Sequence, residues 1–235
     1  MRKYDLTYYN FENIITLDDD YLKCLKEYKN FSKHRSFRAK DDTVVFKLNE
    51  KLGKVLLKLD SQKYYIKPFN DDQRGGLRFI FNSQYLAKIL TDALKWVFVT
   101  SEVNFVKVNN VFRYNKFQQK DDIFKSHYDV AYTDKENREY SLYTLVIYLK
   151  SDKDKVCLKI DDEEYKFDDF ECIIFNQSKV HEGYTFDGKK IFIRSDLIFH
   201  IEDDKMCNIR DDYNELAKLF DQACYLSLNL CFNLR

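Results

Sequence analysis

The spacing of apolar residues predicts helices in the N-terminal part of the chain. After the capping residues 82–83, apolar residues recur at the helical period and predict a core-facing helix over 83–97; they are Leu86, Ile89, Leu90, Ala93, Leu94 and Val97. A similar spacing after an acidic start predicts a helix within 9–30. Shorter apolar alternations at 43–47 and 54–59 indicate strands or a short helix.

From residue 103 onward the pattern changes to short runs rich in Val, Ile, Tyr and Phe. The runs predict strands at 103–114, 142–149, 155–160, 172–175 and 191–199. Polar turns separate most of them, and the pair Asp187-Gly188 is typical of a tight turn between two strands. Several short strands separated in this way indicate an all-β sandwich or barrel.

The helical spacing returns over 211–231 and predicts a C-terminal helix. Because no internal repeat or low-complexity linker occurs, we expect one domain over 1–235. It would consist of an N-terminal support region (1–69), a β core (70–200) and a C-terminal helical extension (203–235). The expected fold class is α+β and mostly β, with supporting helices before the core.

Composition narrows the classes of function. An aromatic content of 17% is too high for a disordered chain. The 39 basic and 39 acidic residues balance, which disfavours a broad interaction with nucleic acid or with an anionic membrane. No apolar run is long enough for a membrane span and no signal peptide is evident, so we expect a soluble, cytoplasmic protein. The six cysteines form no metal-binding or redox motif, and we interpret them as reduced core residues.

Two histidines and an aspartate carry the candidate chemistry. His127 and Asp129 are two positions apart, so an extended backbone points both side chains to one face. His181 follows after three predicted strands. Two histidines and one carboxylate on one face of an ion leave other positions open, an arrangement that suits non-haem Fe(II) and O2. The His-x-Asp pair alone is weak evidence, since a loop histidine produces it equally well.

The strand after Gly188 offers a candidate cation. Lys190, Phe192 and Arg194 alternate on one face of this strand. A cation there would face back toward the ion and pair with the distal carboxylate of a dicarboxylate co-substrate. The alternative is that Lys190 is a solvated lysine of the turn, like Lys189.

Four blocks in this order resemble the 2-oxoglutarate- and Fe(II)-dependent dioxygenases, in their prolyl 4-hydroxylase-like branch. The blocks are Phe112–Phe117, His127–Asp129, Arg138 with Tyr143–Lys150, and the closing set His181–Gly183, Gly188–Lys190 and Arg194–Asp196. The resemblance covers about residues 70–200. It implies a double-stranded β-helix (jelly-roll) core with His127, Asp129 and His181 as the iron ligands.

The resemblance also implies a co-substrate pocket. By position, Lys190 would bind the distal carboxylate of 2-oxoglutarate, and Tyr114 and Tyr148 would line the pocket and donate hydrogen bonds to that carboxylate. Such donors would compensate the desolvation of a buried carboxylate. Arg194 is the second candidate for the anchor; otherwise it forms a salt bridge, for example with Asp196.

The activity that the resemblance implies is hydroxylation of a C–H bond on a protein or peptide side chain, with proline favoured. O2 would be consumed and 2-oxoglutarate converted to succinate and CO2, with ascorbate as the reductant. An inert binding protein that reuses the fold is the alternative from another class. Nucleic-acid demethylation is disfavoured because that branch has a second Arg six residues after the first, whereas His200 stands six residues after Arg194.

Two departures from the family concern the mouth of the barrel. The usual Gly-Gly pair is replaced at Asp152–Lys155, and the usual Pro-x-x-Gly turn is replaced at Lys166–Phe170. These changes affect the loops around the substrate entrance and leave the three iron ligands in place.

Overall fold

A computed structural model describes residues 8–10, 38–40, 43–61, 64–65, 75–98, 104–118, 124–129, 131–184 and 188–201. The helices predicted within 9–30 and over 211–231 lie outside these residues. The described part contains two α-helices, α1 (Glu50–Leu57) and α2 (Gln84–Leu94), and α2 continues into a 3-10 turn at Lys95–Phe98. None of its helices is long and apolar enough to cross a membrane.

Strands make up most of the remaining structure. They are β1 (Tyr8–Asn10), β2 (Arg38–Lys40), β3 (Thr43–Lys47), β4 (Leu77–Asn82), β5 (Asn104–Val108), β6 (Val111–Phe117), β7 (Phe124–His127), β8 (Thr133–Asp134), β9 (Glu139–Lys150), β10 (Leu158–Ile160), β11 (Glu163–Tyr165), β12 (Glu171–Asn176), β13 (His181–Gly183) and β14 (Lys190–His200).

These strands form two sheets. The large sheet has the order β1-β4-β6-β14-β9-β12-β3-β2, with β5 also paired to β14 and β8 to β9. The small sheet has the order β11-β10-β13-β7. All pairings are antiparallel except that of β1 with β4. The predicted fold class, a mostly β jelly-roll core with helical support, is confirmed.

Both helices begin where the sequence provides a cap. Ser83 Oγ accepts a hydrogen bond from the Leu86 backbone N–H (3.1 Å), and Asn49 Oδ1 accepts one from the Lys51 N–H (2.9 Å). The apolar stripe predicted over 83–97 is buried from Leu86 to Leu94, whereas Val97 lies in the 3-10 turn and is partly buried. The ambiguous segment 54–59 belongs to the end of α1 and the turn after it, because Leu52, Leu56 and Leu59 recur at helical spacing on the buried side.

Two apolar layers lie on opposite sides of the large sheet. One packs α1 and α2 against the sheet and includes Phe79, Tyr114 and Ile193. The other fills the space between the two sheets and includes Tyr148 and Phe175. The candidate functional residues are therefore divided between a helix-facing side and an inter-sheet side.

The connection from β13 to β14 corrects the sequence analysis. A tight turn at Asp187-Gly188 would make these strands a hairpin, but β13 pairs with β10 and β7, whereas β14 pairs with β9, β6 and β5. The chain crosses here from the small sheet to the large one. This crossing places the start of β14 beside the end of β13, at the edge of the inter-sheet space.

Asp60 joins three parts of the fold. Its carboxylate accepts hydrogen bonds from Tyr65 Oη (2.8 Å) and Lys116 Nζ (2.9 Å), and it also pairs with Lys189. Burial would raise the pKa of Asp60, but these donors outweigh it and lower the pKa. The turn after α1 is thereby tied to β6 and to the residue just before Lys190.

Cys157 and Cys172 are buried in the core, as predicted for core cysteines. The other four cysteines lie outside the described residues.

The segment that replaces the Pro-x-x-Gly turn packs against α1. Phe170 adopts a left-handed backbone conformation (φ 67°), which favours glycine, and its carbonyl accepts a hydrogen bond from the Leu48 N–H (2.7 Å). A Cβ at Gly53 of α1 would overlap the Phe170 ring. Gly53 is therefore required by a close approach of helix and loop.

We expect Gly53→Ala to destabilise the protein by about 1–3 kcal/mol, because overpacking outweighs the higher helix propensity of alanine. Chemical denaturation would measure this, with the exposed helical site Lys51→Ala as the control. In a Phe170→Gly background, which removes the ring, Gly53→Ala should become neutral or stabilising. Equal destabilisation in both backgrounds would contradict this explanation.

Candidate metal centre

The three predicted ligands come together in the inter-sheet space. His127 ends β7 and His181 begins β13, and these residues are directly paired in the small sheet. Asp129 follows β7 by two residues. One nitrogen or oxygen atom from each side chain lies within 4.8 Å of the other two. Asp129 Oδ2 is 3.5 Å from His181 Nε2, and Asp129 Oδ1 is 3.9 Å from His127 Nε2.

Both imidazoles are oriented by backbone carbonyls. His127 Nδ1 lies 2.7 Å from the Lys125 oxygen, and His181 Nδ1 lies 3.2 Å from the Lys179 oxygen. A carbonyl only accepts, so each Nδ1 carries the proton in the neutral ring and each Nε2 keeps its lone pair. Both lone pairs belong to the nitrogen that is nearer Asp129.

The electrostatics favour the protonation states that bind a metal. Burial, together with the neighbouring His181, lowers the pKa of His127 to about 4, so this ring is neutral at neutral pH. Burial alone would raise the pKa of Asp129, but Arg194 and the two histidines outweigh it and hold the pKa well below its usual value. The site therefore offers a neutral His127 imidazole and an ionised carboxylate next to the Nε2 atom of His181.

One atom has no partner without an ion. His127 Nε2 is buried and makes no hydrogen bond. A buried unsatisfied acceptor is unfavourable by about 1–3 kcal/mol, and a metal ion would use its lone pair. The residues therefore fit a divalent ion of the kind that binds to two histidines and one carboxylate with positions left open.

Lys190 is buried between the two sheets. Its side chain lies in the inter-sheet layer with 2% exposed, and Nζ donates to the backbone oxygens of Cys157 (3.1 Å) and Tyr184. The ammonium also lies over the rings of Phe117 (4.7 Å) and Phe192 (5.5 Å). Burial lowers the pKa of Lys190 to about 8. The alternative of a solvated turn lysine is therefore wrong for Lys190.

Tyr148 lies in the same layer as Lys190. Its ring stacks on Phe167 (centroids 4.4 Å apart) and is near Phe192 (5.8 Å). Burial and the neighbouring Cys157 thiol, which shares a hydrogen bond with the phenol, raise the pKa of Tyr148 well above its usual value. Cys157 thus contacts both residues, through its thiol to Tyr148 and through its carbonyl to Lys190.

Tyr114 is not brought to this pocket. Its ring stacks on Phe79 (4.6 Å) in the helix-facing layer, and its hydroxyl donates to the Leu56 carbonyl of α1 (3.4 Å). On β6 it alternates with Arg113, whose guanidinium contacts Asp196 on the opposite face. The expectation that Tyr114 lines the co-substrate pocket is corrected for this reason.

Arg194 contacts one of the candidate metal ligands, Asp129. Its Nη2 lies 2.8 Å from Asp129 Oδ1 and 3.0 Å from Asp196 Oδ1, so the salt bridge considered from the sequence is present together with an ion pair to Asp129. Arg194 is thus already bound to two carboxylates. Among the described residues, no carboxylate lies within ion-pair distance of Lys190.

The structure adds residues that sequence reasoning missed. Thr144 Oγ1 donates to Asp129 Oδ2 (2.5 Å), and Arg113 and Gln177 donate to Asp196 (both 3.1 Å). Asp196 itself was considered from the sequence as a salt-bridge partner of Arg194, and it continues the alternation of Lys190, Phe192 and Arg194 along one face of β14. Nothing local in the sequence indicates Gln177, which meets Asp196 through pairing of distant strands.

Solved structures with this architecture include a prolyl 4-hydroxylase from Pseudomonas putida. It matches with a TM-score of 0.50 and 14% identity over 74% of this chain and 97% of that one. The chain has the fold of a prolyl 4-hydroxylase. The predicted resemblance is confirmed at the level of the fold.

Two further prolyl hydroxylase structures are also similar to this chain. The viral collagen prolyl hydroxylase of Paramecium bursaria Chlorella virus-1, in complex with 2-oxoglutarate, has 16% identity and a TM-score of 0.46 over 68% of this chain and 97% of that one. A prolyl hydroxylase from Trichoplax adhaerens, in complex with a peptide of hypoxia inducible factor, has 11% identity and a TM-score of 0.49 over 84% and 100%. No protein-family model matches the sequence, and no curated protein matches it.

We expect the triad to bind one divalent ion. Titration of the protein with Co(II), followed by calorimetry and visible absorption, should show one site, and Asp129→Ala should weaken binding more than about 100-fold because it removes the charged ligand. Asp154→Ala, which removes an exposed carboxylate before β10, is the matched control and should bind Co(II) like the unmodified protein. Equal loss in both variants would contradict the assignment.

Proposed function

We propose that this protein is a 2-oxoglutarate- and Fe(II)-dependent oxygenase that hydroxylates a C–H bond. The observation that carries the proposal is the combination of two elements in one inter-sheet space. One is the triad of His127, Asp129 and His181, with an unsatisfied buried nitrogen, and the other is a buried ammonium without a described carboxylate partner. The fold of the P. putida enzyme is consistent with this function.

The spacing of the two elements suits a short dicarboxylate. Lys190 Nζ donates to Tyr184, which lies three residues beyond His181. Three residues of extended chain span roughly 10 Å. An extended five-carbon diacid that contacts an ion at one end and an ammonium at the other fits this interval. Tyr148 stands beside the proposed anchor, and its hydroxyl would donate a hydrogen bond to the same distal carboxylate.

Burial makes Lys190 selective for an anion. An ammonium in an apolar layer loses hydration, and two carbonyl oxygens and two rings replace it only partly. A carboxylate ligand would supply the missing counter-charge and so stabilise the protonated form of Lys190. Arg194 lacks this need because Asp129 and Asp196 already neutralise it.

The chain's own residues prepare the reaction. Bound iron, with 2-oxoglutarate and O2, supplies an oxidant that inserts oxygen into an unactivated C–H bond while the co-substrate becomes succinate and CO2. His127, Asp129 and His181 would hold the ion from one side and leave the other side to the co-substrate, O2 and the substrate. Thr144 and the two backbone carbonyls fix the ligand orientations, and the apolar layer around Lys190 excludes water from the co-substrate.

We extend the proposal to a protein or peptide substrate, with a prolyl side chain favoured. Support comes from the names of the similar structures, which include collagen prolyl hydroxylase and a prolyl hydroxylase with a bound peptide. The absence of a charge excess also favours a peptide over a nucleic acid. Ascorbate would serve as the reductant, and the cytoplasm would be the compartment.

The direct test of the function is turnover. Protein incubated with Fe(II), 2-oxoglutarate and ascorbate should release succinate, and proline-containing peptides should increase the release and gain one oxygen atom by mass spectrometry. His181→Ala should abolish both signals because it removes an iron ligand, whereas His200→Ala is the control histidine, half-buried at the far end of β14. Metal binding without any succinate release would favour the inert binding protein instead.

Two adjacent lysines provide a matched test of the co-substrate anchor. Lys190→Ala should weaken 2-oxoglutarate binding roughly 10- to 100-fold by removing a charged hydrogen bond and should leave Co(II) affinity nearly unchanged. Lys189→Ala removes the neighbouring lysine that pairs with Asp60 and should have little effect on either. If instead only Arg194→Ala weakened 2-oxoglutarate binding, the anchor would be Arg194.

The lowered pKa adds a pH dependence with a definite sign. Lys190 binds the dianion only in its charged form, which is lost as the pH rises through about 8. The dissociation constant of 2-oxoglutarate should therefore be flat below pH 8 and increase up to tenfold per pH unit above it. Lys190→Arg, which stays charged, should bind with no such increase. Calorimetry from pH 6.5 to 9.5, on the order of 1.5 units to each side of 8, would measure both curves.

A further inference from the structure

Four ionised side chains form a continuous chain from the metal centre into the large sheet. In order they are Asp129, Arg194, Asp196 and Arg113, joined by contacts of 2.8, 3.0 and 3.1 Å. All four are at least largely buried, and Asp196 is fully buried. Gln177, which donates to Asp196, continues the network to the Ser141 hydroxyl.

Packing alone does not account for this arrangement. Burying ions is costly, and an apolar pair of similar volume often stabilises a fold equally well. The guanidinium of Arg194 also contains a buried Nε without a hydrogen-bond partner. Its contacts are instead concentrated at Nη2, which bridges the iron ligand Asp129 and the carboxylate of Asp196. The position of Arg194 is therefore set by the carboxylates.

We infer that Arg194 is a positioning residue that both orients Asp129 and reduces the charge that Asp129 presents to the metal. This inference rests on the proposed metal site. Arg194 holds Oδ1 and Thr144 holds Oδ2, so the plane of the carboxylate is fixed before any ion arrives. The same cation withdraws electron density from the carboxylate, and its field opposes the approach of a divalent ion.

The carboxylate of Asp196 modifies the influence of Arg194 on Asp129. Asp196 shares the guanidinium of Arg194 and so weakens its influence on Asp129. Arg113 in turn neutralises Asp196. The metal affinity of Asp129 is thus set by a balance of alternating charges, in which neighbouring positions act with opposite signs.

The opposite signs give a test that a structural role would fail. Arg194→Gln keeps a hydrogen-bond donor but removes the charge, and it should bind Co(II) roughly tenfold more tightly. Asp196→Asn leaves Arg194 to act on Asp129 alone and should bind Co(II) several-fold more weakly. Arg194→Lys keeps the charge and should stay within about threefold of the unmodified protein.

Calorimetric titration of the purified full chain with Co(II) alone would measure these constants, with thermal unfolding of each apo protein recorded alongside. The control variant Arg113→Gln removes the arginine one group further from the metal and should change Co(II) affinity by less than about threefold. If Arg194→Gln does not fold, the test is the comparison of the two other variants: Asp196→Asn should bind Co(II) more weakly than Arg113→Gln.

The outcomes separate this inference from the proposed function. Tight Co(II) binding by the unmodified protein, with changes of opposite sign in the Arg194 and Asp196 variants, supports the inference. Unchanged or weakened binding in Arg194→Gln overturns it and leaves the metal site standing. Failure of the unmodified protein to bind Co(II) overturns both.

Discussion

The alternation of side chains along β14 is the constraint on which the candidate site depends. This strand pairs with β6 and β5 on one side and with β9 on the other, so its backbone hydrogen bonds are satisfied within the sheet and its register is fixed. Ile191 and Ile193 face the helices and anchor the strand in the core. Side chains alternate along a strand, so the even-numbered positions at this end of β14 face the small sheet. This places Lys190 and Arg194 between the sheets with the triad.

This constraint explains which parts of the site could be predicted. Positions two residues apart on β14 share a face, and the apolar side chains of Ile191 and Ile193 indicate which face is buried against the helices. The same reasoning fails on β6, because all seven of its residues are buried and bulky residues occupy both faces. Phe112 and Phe117 differ in parity, so hydrophobicity does not distinguish the two faces of β6. The local pattern therefore gave no check on the pocket position that the resemblance implied for Tyr114, which lies on the helix-facing side. Cap residues such as Ser83 were predictable because they act within one turn of chain.

Long-range pairing accounts for the rest of what the sequence did not reveal. Asp187-Gly188 carries the local signal of a hairpin, yet the strands around it belong to different sheets. A turn signal reports that the chain bends, whereas the partner of each strand is decided by the packing of distant segments. The ion pair of Arg113 with Asp196 joins residues 83 positions apart and depends on the same pairing. The triad of His127, Asp129 and His181 was easier to predict, since side-chain chemistry rather than topology identified it.

The two cations of β14 have different electrostatic surroundings, and this difference supports the separate roles proposed for them. Arg194 lies against two carboxylates, so its charge is compensated in the protein itself and its influence is exerted on Asp129. Lys190 has carbonyl oxygens and aromatic faces as its described partners, so burial lowers its pKa and leaves its charge available to an incoming anion. If Arg194 were the co-substrate anchor, the carboxylate of the co-substrate would have to displace Asp129 from Arg194. That displacement would disturb a candidate metal ligand. The charge distribution thus favours Lys190 as the co-substrate anchor and Arg194 as the partner of the metal ligand.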